Sequence, residues 1–471
     1  MQDIDLGSVM KNHSHTLRSG EIFHIAKHIK SLCYAPRWTH GFRVEMLRLT
    51  FLLANLFPVC VAQAEPLPQP LSLGQALQLV DDQHPAIAQA VAREASAEAE
   101  LLAEESGDDL WVTLEGRLQY LEPAELSNFQ EHNDSRLDLR VEKRLYDFGY
   151  TEARQASARA ALDAARWNGL NERQRQQIRV MQAFLDVLLA DLEYARDNEA
   201  VAIAYVRLDR FRNQAELGRL SDVDLLEKQS LYEKVLSRRT AAEARQRSTR
   251  LRLALALNRP AEIPNELVSP PVPDMSVEMP SQEELADRVL QNNAALKALR
   301  KRITASEQKL AAAGKRYGPV LRGELGAHEY ARETRSTGPF SAALVLEMPL
   351  YSGGRDDAET ARARAELMES QALKAKLELE LRQQVLELWL EQGTLRRSMK
   401  ELQVREEYRD LYLDRSRTLY ELERTSDLGD AMVQISAVRL ELAKLQYRWM
   451  LNEMRLKALT GELLQQEEQE G

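Results

Sequence analysis

The chain has 471 residues, a formal net charge of −10 and only 6% aromatic residues. Ala, Glu, Lys, Leu and Arg supply about half of it, which is the composition of long helices and argues against one large compact core. The acidic balance, with no basic patch interleaved with aromatics, excludes nucleic acid as the main ligand.

Residues 1–45 hold five of the eight histidines, show neither helical nor strand period, and read as an upstream extension outside the fold. Residues 46–64 have the pattern of a secretory signal: Arg48, an apolar run from Leu49 to Val61, and Ala62-Gln63-Ala64 as a cleavage site before Glu65. That run is too short to span a membrane as a helix. A competing reading makes Cys60 an acylated cysteine, but Phe57-Pro58-Val59 before it lacks the expected small residue. Both cysteines, Cys33 and Cys60, precede Glu65, so no disulfide is expected in the exported part.

The first repeat is expected over residues 65–258. Ser72 caps a helix that continues past Pro85 to about Ser106. A strand follows, with Val112, Leu114, Gly116, Leu118 and Tyr120 alternating with Thr113, Glu115, Arg117 and Gln119. After a polar loop over 122–134, Leu137, Leu139, Val141 and Leu145 alternate with Arg136, Asp138, Arg140, Glu142 and Arg144; Lys143 alone breaks the pattern. The period then turns helical from Gly149 to about Ala215, breaks at Leu217-Gly218-Arg219-Leu220-Ser221, and resumes from Asp222 to about Asn258.

Residues 259–280 contain six prolines and read as an extended linker between halves. The second repeat, 281–462, copies the first: a helix from Ser281 to about Arg316, strands Leu321 to Tyr330 and Phe340 to Leu350, a long helix to about Glu421, a break at Leu422-Glu423-Arg424-Thr425-Ser426, and a last helix to about Thr460. Tyr146 and Tyr351, like Asp222 and Asp427, lie 205 positions apart, which marks an internal duplication. Residues 463–471 are a polar tail.

Long helices of this kind persist only by laying an apolar seam on neighbours, so a coiled-coil array is expected. Four strands with one apolar and one charged face cannot close a barrel alone, and open edges are not tolerated in lipid. Either the strands cover a soluble core, or several chains pool them into a barrel with Glu115, Arg117, Arg140, Arg322 and Glu324 facing water.

Five motifs in this order resemble the TolC family of outer-membrane efflux and secretion channels: His84-Pro85-Ala86-Ile87, Leu145-Tyr146-Asp147-Phe148-Gly149, Gly218 to Leu226, Pro349 to Gly354, and Leu456 to Gly461. The resemblance implies a mainly α fold with a small β part, built from a duplicated helix, hairpin and long-helix repeat. It implies a homotrimer whose twelve pooled strands form a β-barrel in outer-membrane lipid, continuous with a periplasmic α-helical coiled-coil barrel. It further implies docking on a periplasmic adaptor and an inner-membrane pump of RND or ABC type in a Gram-negative bacterium. In the family the helix tips touch the adaptor, which places Gly218, Arg219, Leu220 and Ser221 there, with Arg424, Thr425 and Ser426 as the second set. Aperture acids correspond to Asp224 and, beside Gly429, to Asp430. Ser221 and Asp224 also fit a helix-capping pattern, so the two roles compete. The second copy departs from the first, with Asn293-Ala294 for His84-Pro85 and Glu423 for Gly218.

Nothing in the sequence has the spacing of a catalytic, cofactor or metal site. His84, His132 and His328 stand apart, and Gly353-Gly354 lacks the remainder of a phosphate loop. Three functions therefore compete: a passive duct for efflux or type I secretion, a periplasmic coiled-coil scaffold without a pore, and an enzyme, for which no residues speak.

Overall fold

The structure is a computed structural model that describes residues 66–80, 82–122, 131–276, 278–331, 338–422 and 427–463. The signal segment, the start at Glu65, and Arg424, Thr425 and Ser426 lie outside the described residues. All elements belong to the unit Pro66–Gly471. In order they are α1 Leu73–Gln78, α2 Pro85–Ser106, β1 Trp111–Arg117, β2 Arg136–Tyr146, α3 Tyr150–Glu216, α4 Asp222–Ala256, α5 Gln282–Asn292, α6 Ala294–Ala313, β3 Val320–Tyr330, β4 Phe340–Glu347, α7 Arg355–Glu421 and α8 Leu428–Thr460.

The duplication is carried into three dimensions. Helices α3 and α7 have 67 residues each, about 100 Å at 1.5 Å per residue. Each begins after a left-handed glycine, Gly149 with φ 85° and Gly354 with φ 78°, a conformation that costs a side-chain-bearing residue about 1–2 kcal/mol. Equivalent positions share their burial: Ala158 and Ala363 are buried, and Val180 and Val385 are fully so.

Helix α3 packs on α2, α4, α6 and α8, and α7 on α5, α6 and α8. Next to the sheet the contact is made by small side chains, with Ala153, Ala158, Ala160 and Ala164 of α3 and Ala305 and Ala312 of α6 buried. Midway, Val180, Phe184 and Val187 join Leu253 of α4 and Tyr447 of α8 in the largest apolar cluster. Charged side chains also join the helices: Arg159 and Glu105 at 2.8 Å and Arg166 and Glu94 at 3.2 Å tie α3 to α2. Each such exposed pair adds little, about 0–1 kcal/mol. The proline-rich segment lies along these helices: Val268 N donates to Leu71 O at 2.9 Å, and Met275 is buried with Leu395, Met399 and Trp449.

Two helical expectations need correction, since each leading helix is broken in two. His84 leaves the helical conformation (ψ 127°) and its Nδ1 accepts from Ala86 N at 3.2 Å, while Pro85 has no N–H to lose. Asn293 does the same in the second repeat (ψ 126°), its Oδ1 accepting from Leu296 N at 3.1 Å, so the helix expected from Ser281 to Arg316 is α5 plus α6.

The four strands form one antiparallel sheet in the order β1-β2-β3-β4, the hairpins joining through β2 and β3. Strands β1 and β4 end earlier than expected. The β1 ladder stops at Arg117, beyond which an isolated bridge joins Tyr120 to Asn133, and β4 stops at Glu347, two residues before Pro349. β2 reaches from Arg136 to Tyr146, with an irregularity between Arg144 and Tyr146.

Candidate functional site: the helix tip and the amphipathic sheet

At the first tip the backbone reverses through a complete left-handed helix stop. Gly218 N donates to Ala215 O and Arg219 N to Gln214 O, both at 2.8 Å, with Gly218 at φ 71°. Ser221 then caps α4: its Oγ accepts from Asp224 N at 3.2 Å and donates to the Asp224 carboxylate at 2.7 Å. A Cβ on Gly218 would meet nothing within 4 Å, so a larger residue there strains the backbone rather than clashing within the chain. Leu217, Val223 and Leu226 are exposed around this turn, whereas Leu220 is half-buried.

The second tip is longer by one residue, because Asp427 occupies the cap position before Leu428 where Ser221 precedes Asp222. The equivalence of Asp222 with Asp427 therefore slips by one, and Asp224 matches Asp430, each the third residue of its helix, rather than Gly429. The two acids are held differently: Asp224 by the Ser221 cap, Asp430 by Arg207 of α3 at 2.9 Å. Gly429 lies hard against α3, since a Cβ there would sit 2.8 Å from Ile203 Cγ2. Asp427 makes no side-chain cap; it accepts from Tyr412 Oη, which holds the carboxyl below its usual pKa and the phenol above.

The pairing register places Glu115, Arg117, Asp138, Arg140, Arg144, Arg322 and Glu324 on one face of the sheet. Val112, Leu114, Leu137, Leu139, Leu325, Phe340, Leu344 and Leu346 lie on the other, and all are exposed. Leu114 keeps 65% and Leu344 74% of its surface, so among the described residues no helix covers this face. On the charged face His328 does not stand apart. Its Nδ1 donates to Asp138 Oδ1 at 2.8 Å, and Ser341 Oγ lies 3.1 Å from Nε2, with Arg136 3.0 Å from Asp138 Oδ2. A Cβ at Gly326 would fall 2.6 Å from the His328 ring, so glycine makes room for this network. The other histidines also have neighbours: His84 meets Gln176 at 2.9 Å and His132 stacks on Tyr120.

Where sheet turns into helix, Asp147 is buried. Burial alone would raise its pKa, but hydrogen bonds from Thr151 Oγ1, Thr151 N and Gly149 N, with Arg144 nearby, hold it below the usual value. Tyr146, at the end of β2, and Tyr351, four residues beyond β4, are exposed. Among the described residues no cluster could hold a metal ion, and no helix is long and apolar enough to cross a membrane.

Sequence reasoning missed His328 with Asp138 because their pairing joins strands 190 residues apart. It missed Arg207 because nothing local marks it as the partner of Asp430.

Comparison with known proteins agrees with this architecture. The outer membrane efflux protein model matches residues 285–462, within the second repeat. Among solved structures the chain is similar to CusC, with 16% identity and a TM-score of 0.68, covering 83% of this chain and 92% of that one. It is similar to the outer membrane protein VceC of Vibrio cholerae, with 15% identity, a TM-score of 0.66, and 83% and 96% coverage. The CmeC outer membrane channel of Campylobacter jejuni gives 12% identity, a TM-score of 0.67, and 83% and 85% coverage. No curated protein matches by sequence. Residues 285–462 thus match the outer membrane efflux protein family, and the chain as a whole has the fold of the TolC-like outer-membrane channels.

Proposed function

We propose that the protein is the outer-membrane duct of a tripartite export system, a passive channel that an adaptor and an inner-membrane pump load from the periplasm. The observation that carries this reading is the sheet: an uncovered apolar face, a charged opposite face, and outer strands β1 and β4 each paired on one side only. Such a sheet is stable in lipid only when its edges are closed, and three copies supply twelve strands, an even number within the range of outer-membrane barrels. The charged faces then line the water-filled lumen, and α3, α4, α7 and α8 extend the passage into the periplasm.

The turn at Gly218, Arg219, Leu220 and Ser221 is the adaptor contact in this reading, supported by the exposed Leu217 and Val223 beside it. Arg424, Thr425 and Ser426 form the second contact, and Asp224 and Asp430 narrow the entrance. Efflux of small molecules is the primary role; type I secretion uses the same duct with another pump. The scaffold alternative requires the apolar strand faces to be buried on helices, and their exposure speaks against it.

Membrane fractionation with native mass measurement in detergent tests the proposal. The expected result is a trimer in the outer-membrane fraction that resists salt and carbonate extraction. A carbonate-extractable protein, or a stable membrane-inserted monomer, overturns it.

A further inference from the structure

The apolar face of the sheet carries one basic residue, Lys143, which interrupts the alternation of β2. It is exposed and makes no ion pair among the described residues. Opposite it in the register is Gly323, and one strand further Gly323 faces Leu344 while Leu325 faces Ala342. Ala342 and the backbone of Gly323, over which Leu145 leans at 3.4 Å from where a Cβ would stand, border a depression of about 490 Å³, within the range of small-molecule pockets. Val141, Leu325 and Leu344 flank it and Lys143 stands at its edge.

The position along the strand is as informative as the shape. Lys143 lies three residues before Tyr146, where the strand ends, about 10 Å along the strand at 3.3 Å per residue. A tilted strand brings this to within the reach of a lysine stem, so the ammonium can extend to the headgroup level on the helix side of the membrane while its methylenes stay against the apolar face. The other charge on this face, Glu329, pairs opposite Leu137 at the far end of β3, and so does not neutralise Lys143.

Resting on the membrane-inserted channel of the proposed function, we infer that this depression is a binding site for an anionic phospholipid of the periplasmic leaflet. One acyl chain lies in the trough over Ala342, between Leu325 and Leu344, and the phosphate pairs with Lys143. Charge complementarity selects the lipid: a free ammonium beside an apolar groove matches a headgroup with net negative charge joined to an acyl chain. Each copy of the chain carries one site.

The test is native mass measurement of the detergent-solubilised assembly with dipalmitoyl phosphatidylglycerol or dipalmitoyl phosphatidylcholine added. Wild type should retain phosphatidylglycerol preferentially, and Lys143→Met should lower retention about fivefold, as expected for one basic residue at a membrane surface. Lys143→Arg should keep it. Ala342→Phe, which fills the trough and leaves the charge in place, should lower retention of both lipids. Equal phosphatidylglycerol retention by wild type and Lys143→Met overturns the site while leaving the channel intact. Full retention by Ala342→Phe overturns the groove and reduces the interaction to surface charge. Failure of the channel reading itself is seen separately, as wild-type protein absent from the carbonate-washed membrane fraction.

Discussion

The two repeats share their long helices to the residue, each entered through a left-handed glycine, but differ in the side chains that hold the turns. At the strand-to-helix turn of the first repeat, Asp147 accepts from Thr151, whose N donates at 2.9 Å. At the same two positions of the second repeat, Ser352 Oγ donates to Asp356 at 2.6 Å, so acid and hydroxyl have exchanged places. At the tips, a glycine helix stop and a serine cap in one copy stand against a longer turn with an uncapped Asp427 and a glycine pressed on Ile203 in the other. The long helices are constrained by burial along their whole length, so duplication has preserved their extent. The turns need only satisfy the loose ends of the helices, which several chemistries do equally well.

The tips of the two repeats differ most at their glycines. Gly218 is required by its backbone, Gly429 by its neighbour. Gly218→Val should abolish export while trimer assembly persists, because a β-branched residue is strained at φ 71° and distorts a turn far from the sheet. Gly218→Asn, which tolerates the left-handed region, should keep most activity. Gly429→Ala should impair the second tip by overpacking, at about 1–3 kcal/mol, and Ile203→Ala should restore it. The same Ile203→Ala change should leave Gly218→Val inactive. Export assays alongside native mass measurement check all five, and rescue of Gly218→Val by Ile203→Ala would show that the tips are not distinct.

Much of this was legible in the sequence. The starts of α3 and α7 follow from Gly149 and Gly354, and their ends from the same break of helical period, so the boundaries agree within about two residues. The division of the strands into a charged and an apolar face was readable because the period is two. The break at Asn293 was not: Asn within an apolar-periodic stretch, without a proline, leaves the pattern unbroken, and only its side-chain cap ends the helix. The match of Asp224 with Asp430 was hidden by the extra residue in the second turn. His328 with Asp138 depends on the β2–β3 register, which no local pattern records.

The exchanged pairs at the strand-to-helix turns give a second, smaller contrast. Asp147 is buried and satisfied by three donors, whereas Asp356 is only half-buried. Asp147→Ala strands Thr151 N and Gly149 N, and a cost of about 1–3 kcal/mol is expected; Asp356→Ala should cost less. Because the folded pKa of Asp147 lies below its unfolded value, its contribution is present above about pH 4 and is lost as pH falls through the folded value. Thermal unfolding followed downward from pH 5 should therefore show a smaller acid-induced loss in Asp147→Asn than in wild type. An identical acid profile would show that this carboxylate is not one of the groups that couple folding to protons.

The smallest effects concern charge at the tips, where the first acid is held by a hydroxyl and the second by a cation. Neutralising either aspartate removes one negative charge per copy, but the residues left behind differ. Asp224→Asn keeps an oxygen that can accept from Ser221, so it should shift ion selectivity away from cations without disturbing the turn. Asp430→Asn frees Arg207, so its shift in the same direction should be larger, and Arg207→Gln should move selectivity the opposite way by leaving Asp430 unopposed. Like charges gathered around a narrow pore attract counter-ions and repel co-ions, so these shifts are measurable as reversal potentials in planar bilayers under a salt gradient. If Asp224→Asn and Asp430→Asn, together or singly, destabilise the assembly and leave the reversal potential of the remaining channels unchanged, both acids serve only to cap and tether their helices, and the entrance is not formed by this ring.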